Sequence, residues 1–137
     1  MSFHPQHRHF LTGEVTEVIP ARIRGQLYHL PQGYPAVIKG EGEVRGEVLR
    51  LLNPERVLPR LDSYEGYDPL SHRGYYLREL TEAVRLDTGE KLLCYAYFIN
   101  PEYEEEVKEK GIFLPEGDWQ QYISRFQCFS IMEGDDE

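Results

Sequence analysis

Cysteine, methionine and tryptophan are scarce in this chain of 137 residues, at two, two and one. Cys94 and Cys128 stand far apart with no C-x-x-C spacing, so neither a disulfide framework nor a zinc ligand set is indicated. Both read as small buried hydrophobes. No apolar run approaches the roughly 20 residues that a membrane-crossing helix needs. The opening stretch MSFHPQHRHF lacks the apolar segment and small-residue cleavage site of a signal peptide, so the sequence points to a cytoplasmic protein with no membrane partner. Basic residues are in deficit as well: the formal net charge is -9. Phosphate neutralisation requires clustered Lys and Arg, and nucleic acid is therefore excluded as a partner. Walker, G-x-G-x-x-G, H-E-x-x-H and G-x-S-x-G patterns are all missing, which removes support for phosphate cradling, dinucleotide binding, zinc hydrolysis and the serine nucleophile elbow.

What remains is an ordinary globular composition, 40% hydrophobic and 28% charged, without repeats or low-complexity linkers. Residues 1–130 are expected to form one domain and 131–137 a disordered acidic tail. Ten tyrosines are the unusual feature, several in or beside turns. Tyrosine offers an apolar face and a hydroxyl, which suits a pocket for a small polar ligand, although half-buried strand positions account for most of them. His4, His7 and His9 could suggest a metal, but chain ends are poor places for a rigid ligand set, and no metal site is assigned there.

Alternating polar and apolar residues predict strands at Glu14–Ile19 and Ala21–Leu30, the second interrupted by a glycine. A short strand Ala36–Ile38, a glycine turn at Gly40–Gly42 and a strand Val44–Leu51 follow. Asn53-Pro54-Glu55 marks a helix start, with Val57, Leu58 and Leu61 on one face. Pro59 should limit or kink this helix and leave Glu65-Gly66 beyond its end. Two central strands, Tyr75–Leu86 and Lys91–Ile99, are joined by the hairpin turn DTGE. Asn100-Pro101-Glu102 opens a charged surface helix, with Glu104 and Lys108, and Glu106 and Lys110, one turn apart. From Asp118 onward, Trp119, Tyr122, Ile123 and Phe126 recur at helical spacing and should dock on the sheet. The fold class is α+β: a mainly antiparallel, barrel-like mixed sheet with a few short helices.

Glu65 is the sharpest candidate for chemistry. Taken alone, an acid past a helix is an ordinary solvated residue. Here Tyr64 and Tyr67 flank it and would partly desolvate the carboxylate, which disfavours the charged form and suits a general acid/base. Gly66 removes a side chain where a substrate would approach. Gly33-Tyr34-Pro35-Ala36 reads as turn chemistry first and as a pocket wall second.

The ordered series G-x-L-Y (from Gly25), Y-P-A (from Tyr34), V-x-G-E-V (from Val44), L-D-x-x-E-G (from Leu61), Y-x-R (from Tyr76) and Y-x-Y (from Tyr95) resembles the gamma-glutamylcyclotransferase-like family. The resemblance runs from about Gly13 to Ile99. It implies that the acid of L-D-x-x-E-G, Glu65, is catalytic, that Tyr34 and Tyr76 line the pocket, and that Arg78 anchors a substrate carboxylate or pairs with a surface acid. The implied substrate is a small gamma-glutamyl amine or peptide, whose own α-amine attacks the side-chain carbonyl, closes 5-oxoproline and expels an amine. That places the activity with lyases or acyltransferases and requires no metal, cofactor or serine. Intramolecular attack supplies much of the acceleration, since effective molarities can reach roughly 10⁵ M or more.

Family members begin with a strand ending in Y-G-[ST]-L or Y-G-S-N whose backbone N–H groups bind the substrate. This chain lacks it and starts with MSFHPQHRHFL about where the following residues belong. The expectation is either an internal start codon or a member without half of its anion cradle. The second case favours the alternative of a noncatalytic small-ligand or interaction module on the same fold. The oligomeric state is left open.

Overall fold

The computed structural model describes residues 13–118 together with the backbone of 127–130. Its first two strands, β1 (Val15–His29) and β2 (Pro35–Leu51), form one long antiparallel hairpin. Helix α1 (Pro54–Glu65) leads to a second hairpin, β3 (Tyr76–Arg85) and β4 (Lys91–Ile99). A 3-10 turn at Pro101–Tyr103, helix α2 (Glu104–Lys110), β5 (Ile112–Leu114) and β6 (Gln127–Ser130) complete the order.

The strands run β2-β6-β4-β3-β1, and β1 pairs back onto β2, so the sheet closes into a barrel. β5 joins the far end of β1, Leu27 opposite Leu114. Among the described strands every pairing is antiparallel except β2 with β6, so the sheet is mainly antiparallel and mixed, as the expected fold class has it. Closure buries Ile19, Ile23, Val44, Val48, Ala83, Cys94, Ala96 and Phe98 in the interior. Cys94 is a buried free thiol; the side chain of Cys128 lies outside the described residues.

Three expectations need correction. The stretch Gly40–Gly42 is not a turn between separate strands. β2 runs through it: the register passes from Gln26 opposite Ile38 to Arg24 opposite Glu43, so Lys39–Gly42 bows out across the single Gly25. The backbones touch there, and a Cβ on Gly42 would lie 2.9 Å from the Gly25 carbonyl oxygen. The predicted strands Glu14–Ile19 and Ala21–Leu30 are likewise one element. Pro59 neither stops nor shortens α1, because it faces solvent and the carbonyl it leaves unbonded, that of Glu55, belongs to an exposed residue. The helical stripe from Trp119 to Phe126 and the three N-terminal histidines lie outside the described residues.

α1 seats the candidate site. Val57, Leu58 and Leu61 pack on Leu49, Leu51, Leu77 and Tyr97, and burying one such aliphatic side chain contributes about 1.5–3 kcal/mol. A third cluster, in which Ile38 and Ile99 meet Val107 of α2, closes the other end. Asn100 caps the turn before α2 by accepting from the Glu102 N–H at 3.0 Å, and Glu106 pairs with Lys110 at 3.9 Å.

Candidate functional site

Val57, Leu61 and Glu65 follow one another at four-residue spacing, so they share one face of α1. Two of the three are core residues; the third is an acid. Glu65 is therefore the last residue of the helix and not beyond it, aimed by the same stripe that docks α1 on the barrel. Gly66, in the left-handed conformation at φ 76°, ends the helix. Its N–H donates to the Ser63 carbonyl at 3.2 Å and that of Tyr67 to the Asp62 carbonyl at 2.8 Å, the paired bonds of a Schellman motif. Gly74 packs on this cap so closely that a Cβ would sit 2.3 Å from the Gly66 carbonyl oxygen.

The Oε2 atom of Glu65 is shielded from solvent, while the residue as a whole is half-buried. Its charge is felt by Tyr64, Tyr76, Tyr97 and Asp62. Tyr34 acts on Tyr64 and Tyr76 in turn. Glu65, Tyr34 and Tyr76, named separately from the sequence, thus converge on one locus, with Tyr64 beside them. The Tyr76 hydroxyl donates to the Pro35 carbonyl at 3.4 Å, tying β3 to the turn that carries Tyr34. Burial, then the charge of Glu65, holds the Tyr76 phenol well above its ordinary range, so it stays a protonated donor. α1 has no basic residue in its last turn, where the helix dipole favours a cation. An anionic side chain at that negative helix end makes a favourable seat for an ammonium group.

Arg78 is placed differently from the expectation of a surface acid. Its Nε lies 3.0 Å from Oδ1 of the buried Asp62, and its guanidinium stacks over the Tyr95 ring at 4.4 Å. The same Oδ1 accepts from the Tyr97 hydroxyl at 2.7 Å. Burial pushes the Asp62 carboxyl upward, opposed by the Tyr97 hydrogen bond and the Arg78 charge and reinforced by Glu65. Sequence reasoning quoted the L-D-x-x-E-G and Y-x-Y patterns but assigned no role to Asp62 or Tyr97; the signal was an acid three residues ahead of Glu65 on the apolar side of α1.

Among the described residues no group of three or more His, Cys, Asp or Glu could hold a metal ion, and no helix is long and apolar enough to cross a membrane. A groove of about 530 Å³ lies between Arg22, Arg24, Glu43 and Thr81. It shares no residue with the Glu65 cluster, and Arg22 is already matched by Glu43 at 3.2 Å, so shape without unmatched chemistry does not make it the site.

Comparison with known proteins shows the family and the fold. The family model described as gamma-glutamyl cyclotransferase, AIG2-like, matches residues 1–121. The chain belongs to this family. A curated relative from Halalkalibacterium halodurans, named "Putative gamma-glutamylcyclotransferase BH1612", is 34% identical over 99 residues, spanning 71% of this chain and 79% of the relative. Two solution structures of Arabidopsis thaliana proteins share the fold. At5g39720.1 has a TM-score of 0.52 at 24% identity, covering 77% of this chain and 74% of its own. At3g28950.1 has a TM-score of 0.51 at 23% identity, with 78% and 70% covered. Family and fold thus meet the resemblance drawn from the ordered motifs.

Proposed function

We propose that the protein is a cyclotransferase that converts a small gamma-glutamyl amine or peptide to 5-oxoproline and a free amine. The α-amine nitrogen of the substrate attacks its own side-chain carbonyl carbon; the ring C–N bond forms and the amide C–N bond to the leaving amine breaks. Glu65 takes a proton from the α-ammonium and delivers one to the departing nitrogen; the ring nitrogen gives up a second proton as the lactam forms, and the released amine takes it up, so one carboxylate serves both transfers. Tyr34 and Tyr76 form the wall against which the substrate folds, and folding is what turns a slow amide cleavage into a rapid ring closure. The reaction draws on no group beyond the chain and its substrate.

The observation that carries this reading is the position of Glu65: an acid on the docking stripe of α1, one oxygen withdrawn from solvent, at a helix end without a basic residue and among tyrosines. The test incubates the protein with a panel of gamma-glutamyl amides and measures 5-oxoproline. Glu65→Gln keeps the shape but cannot accept the ammonium proton, and its rate should fall on the order of 10²-fold or more. Equal rates for the two proteins remove Glu65 from the mechanism. Binding without 5-oxoproline in either protein identifies a noncatalytic ligand-binding module on this fold.

A further inference from the structure

Asp62 is held by more contacts than helix stability requires. Its backbone carbonyl receives the Tyr67 N–H at 2.8 Å, and its carboxylate meets Tyr97 at 2.7 Å and Arg78 at 3.0 Å. Arg78 and Tyr97 stand directly opposite each other on β3 and β4, so a cross-strand pair grips a single carboxylate. Arg78 also lies over Tyr67, 6.0 Å from the ring centre, on the other side of the helix cap. The segment between these two anchors is Ser63, Tyr64, Glu65 and Gly66. A buried carboxylate paired with a half-buried guanidinium whose Nε is shielded from solvent is costly to desolvate, so its presence calls for a role other than bulk stability.

Resting on the reading of Glu65 as the proton carrier, we infer that Asp62 and Arg78 are positioning residues: the Arg78–Tyr97 pair clamps Asp62, which fixes the last turn of α1 and the aim of Glu65, while Arg78 offsets the negative charge that Asp62 places beside Glu65. The charged and titratable groups facing this pair are Tyr97 and Tyr95 from β4, Glu65 from α1 and Tyr67 from the cap. Those facing Glu65 include Asp62, Tyr64, Tyr76 and Tyr97. Arg78 supplies positive charge beside Asp62, and so eases the repulsion between two carboxylates that sit one turn apart.

The experiment compares Asp62→Asn, Arg78→Met and Arg78→Lys with wild type, using the pH dependence of 5-oxoproline formation and amide hydrogen exchange. Asp62→Asn removes a negative charge near Glu65, so the acid limb of kcat/KM moves to lower pH. Arg78→Met removes the offsetting positive charge and moves it to higher pH. Arg78→Lys restores the charge and returns the limb toward wild type. A 1 Å misplacement can cost on the order of 10²-fold, and the loss should appear in kcat with KM little changed. In exchange, the amides of Gly66 and Tyr67 should open roughly tenfold or more faster in Asp62→Asn and Arg78→Met, while those of Val57 and Leu58 change little. Opposite limb shifts with this local opening support the clamp. An active wild type whose limb stays fixed in both variants overturns it, because a merely structural role lowers stability without opposed shifts. A wild type that forms no 5-oxoproline refutes the activity instead; exchange then decides the clamp, local opening supporting it and uniform opening across α1 overturning it.

Discussion

Gly66 and Gly74 both have positive φ, yet the barrel should tolerate their replacement very differently. Alanine at Gly66 meets nothing within 4 Å, so the cost is that of the left-handed backbone alone, about 1–2 kcal/mol. Alanine at Gly74 must adopt φ 140°, a region essentially reserved for glycine, at about 1–3 kcal/mol. It also drives its Cβ to 2.3 Å from the Gly66 carbonyl oxygen and 3.2 Å from the Tyr67 Cα. Those atoms are backbone fixed by the Schellman bonds, so overpacking adds about 1–3 kcal/mol more. Gly74→Ala should therefore lose about 4 kcal/mol against about 1–2 kcal/mol for Gly66→Ala. For a domain of this size each kcal/mol lowers Tm by about 4 °C. Urea unfolding of the two variants and wild type measures the difference as a shift in midpoint at unchanged slope. Because the clash pushes on the carbonyl next to Glu65, the proposed cyclotransferase activity should fall in Gly74→Ala even at a temperature where the protein stays folded. Equal losses of stability for both variants would refute the reasoning, since they would mean that the Gly66–Gly74 contact constrains nothing.

Two further outcomes follow from the same elements. Pro59→Ala should stabilise the fold by about 1–2 kcal/mol, because it restores the N–H bond to the Glu55 carbonyl at an exposed position; an unchanged or lower Tm would show that the proline ring packs favourably. The Asp68 carboxyl lies below its ordinary value of 3.8, chiefly through the Ser71 hydroxyl and then the Leu70 N–H. A depressed carboxyl stabilises the fold above its unfolded value and stops doing so as pH falls through its folded value. Asp68→Asn should therefore flatten the acid side of the stability curve below about pH 4, and a curve parallel to wild type in urea melts across that range would contradict it.

The strands were legible wherever local alternation and turn chemistry agreed with the final pairing. Lys91–Ile99 and the DTGE turn match the sequence reading closely, because Gly89 supplies the positive φ and the Arg85 N–H reaches the Glu90 carbonyl at 2.8 Å within the hairpin itself. Gly40–Gly42 misled for the opposite reason. A glycine pair normally marks a turn, but here it lets β2 bow past Gly25, a partner fifteen or more residues earlier that local patterning does not reveal. Pro59 misled because an exposed carbonyl four residues back makes the missing bond tolerable. Glu65 was found from its neighbours, and its true setting, the end of the α1 docking stripe, was present in the spacing Val57, Leu61, Glu65. Asp62 and Tyr97 stayed hidden because 35 residues separate them and only the docking of α1 against β4 brings the hydroxyl to the carboxylate.

Closure of the ring also sets a schedule. The last strand joins Glu47 to Gln127 and Tyr95 to Phe129, so the final seam unites the first hairpin with chain made roughly 76 residues later. At about 5–20 residues per second, a ribosome takes about 4–15 s to span that gap. Throughout that interval the β1–β2 hairpin waits with one flank of β2 bare, open to mispairing with other nascent chains. Translation pauses between Leu51 and Gln127 would lengthen the exposure and lower the yield of native protein.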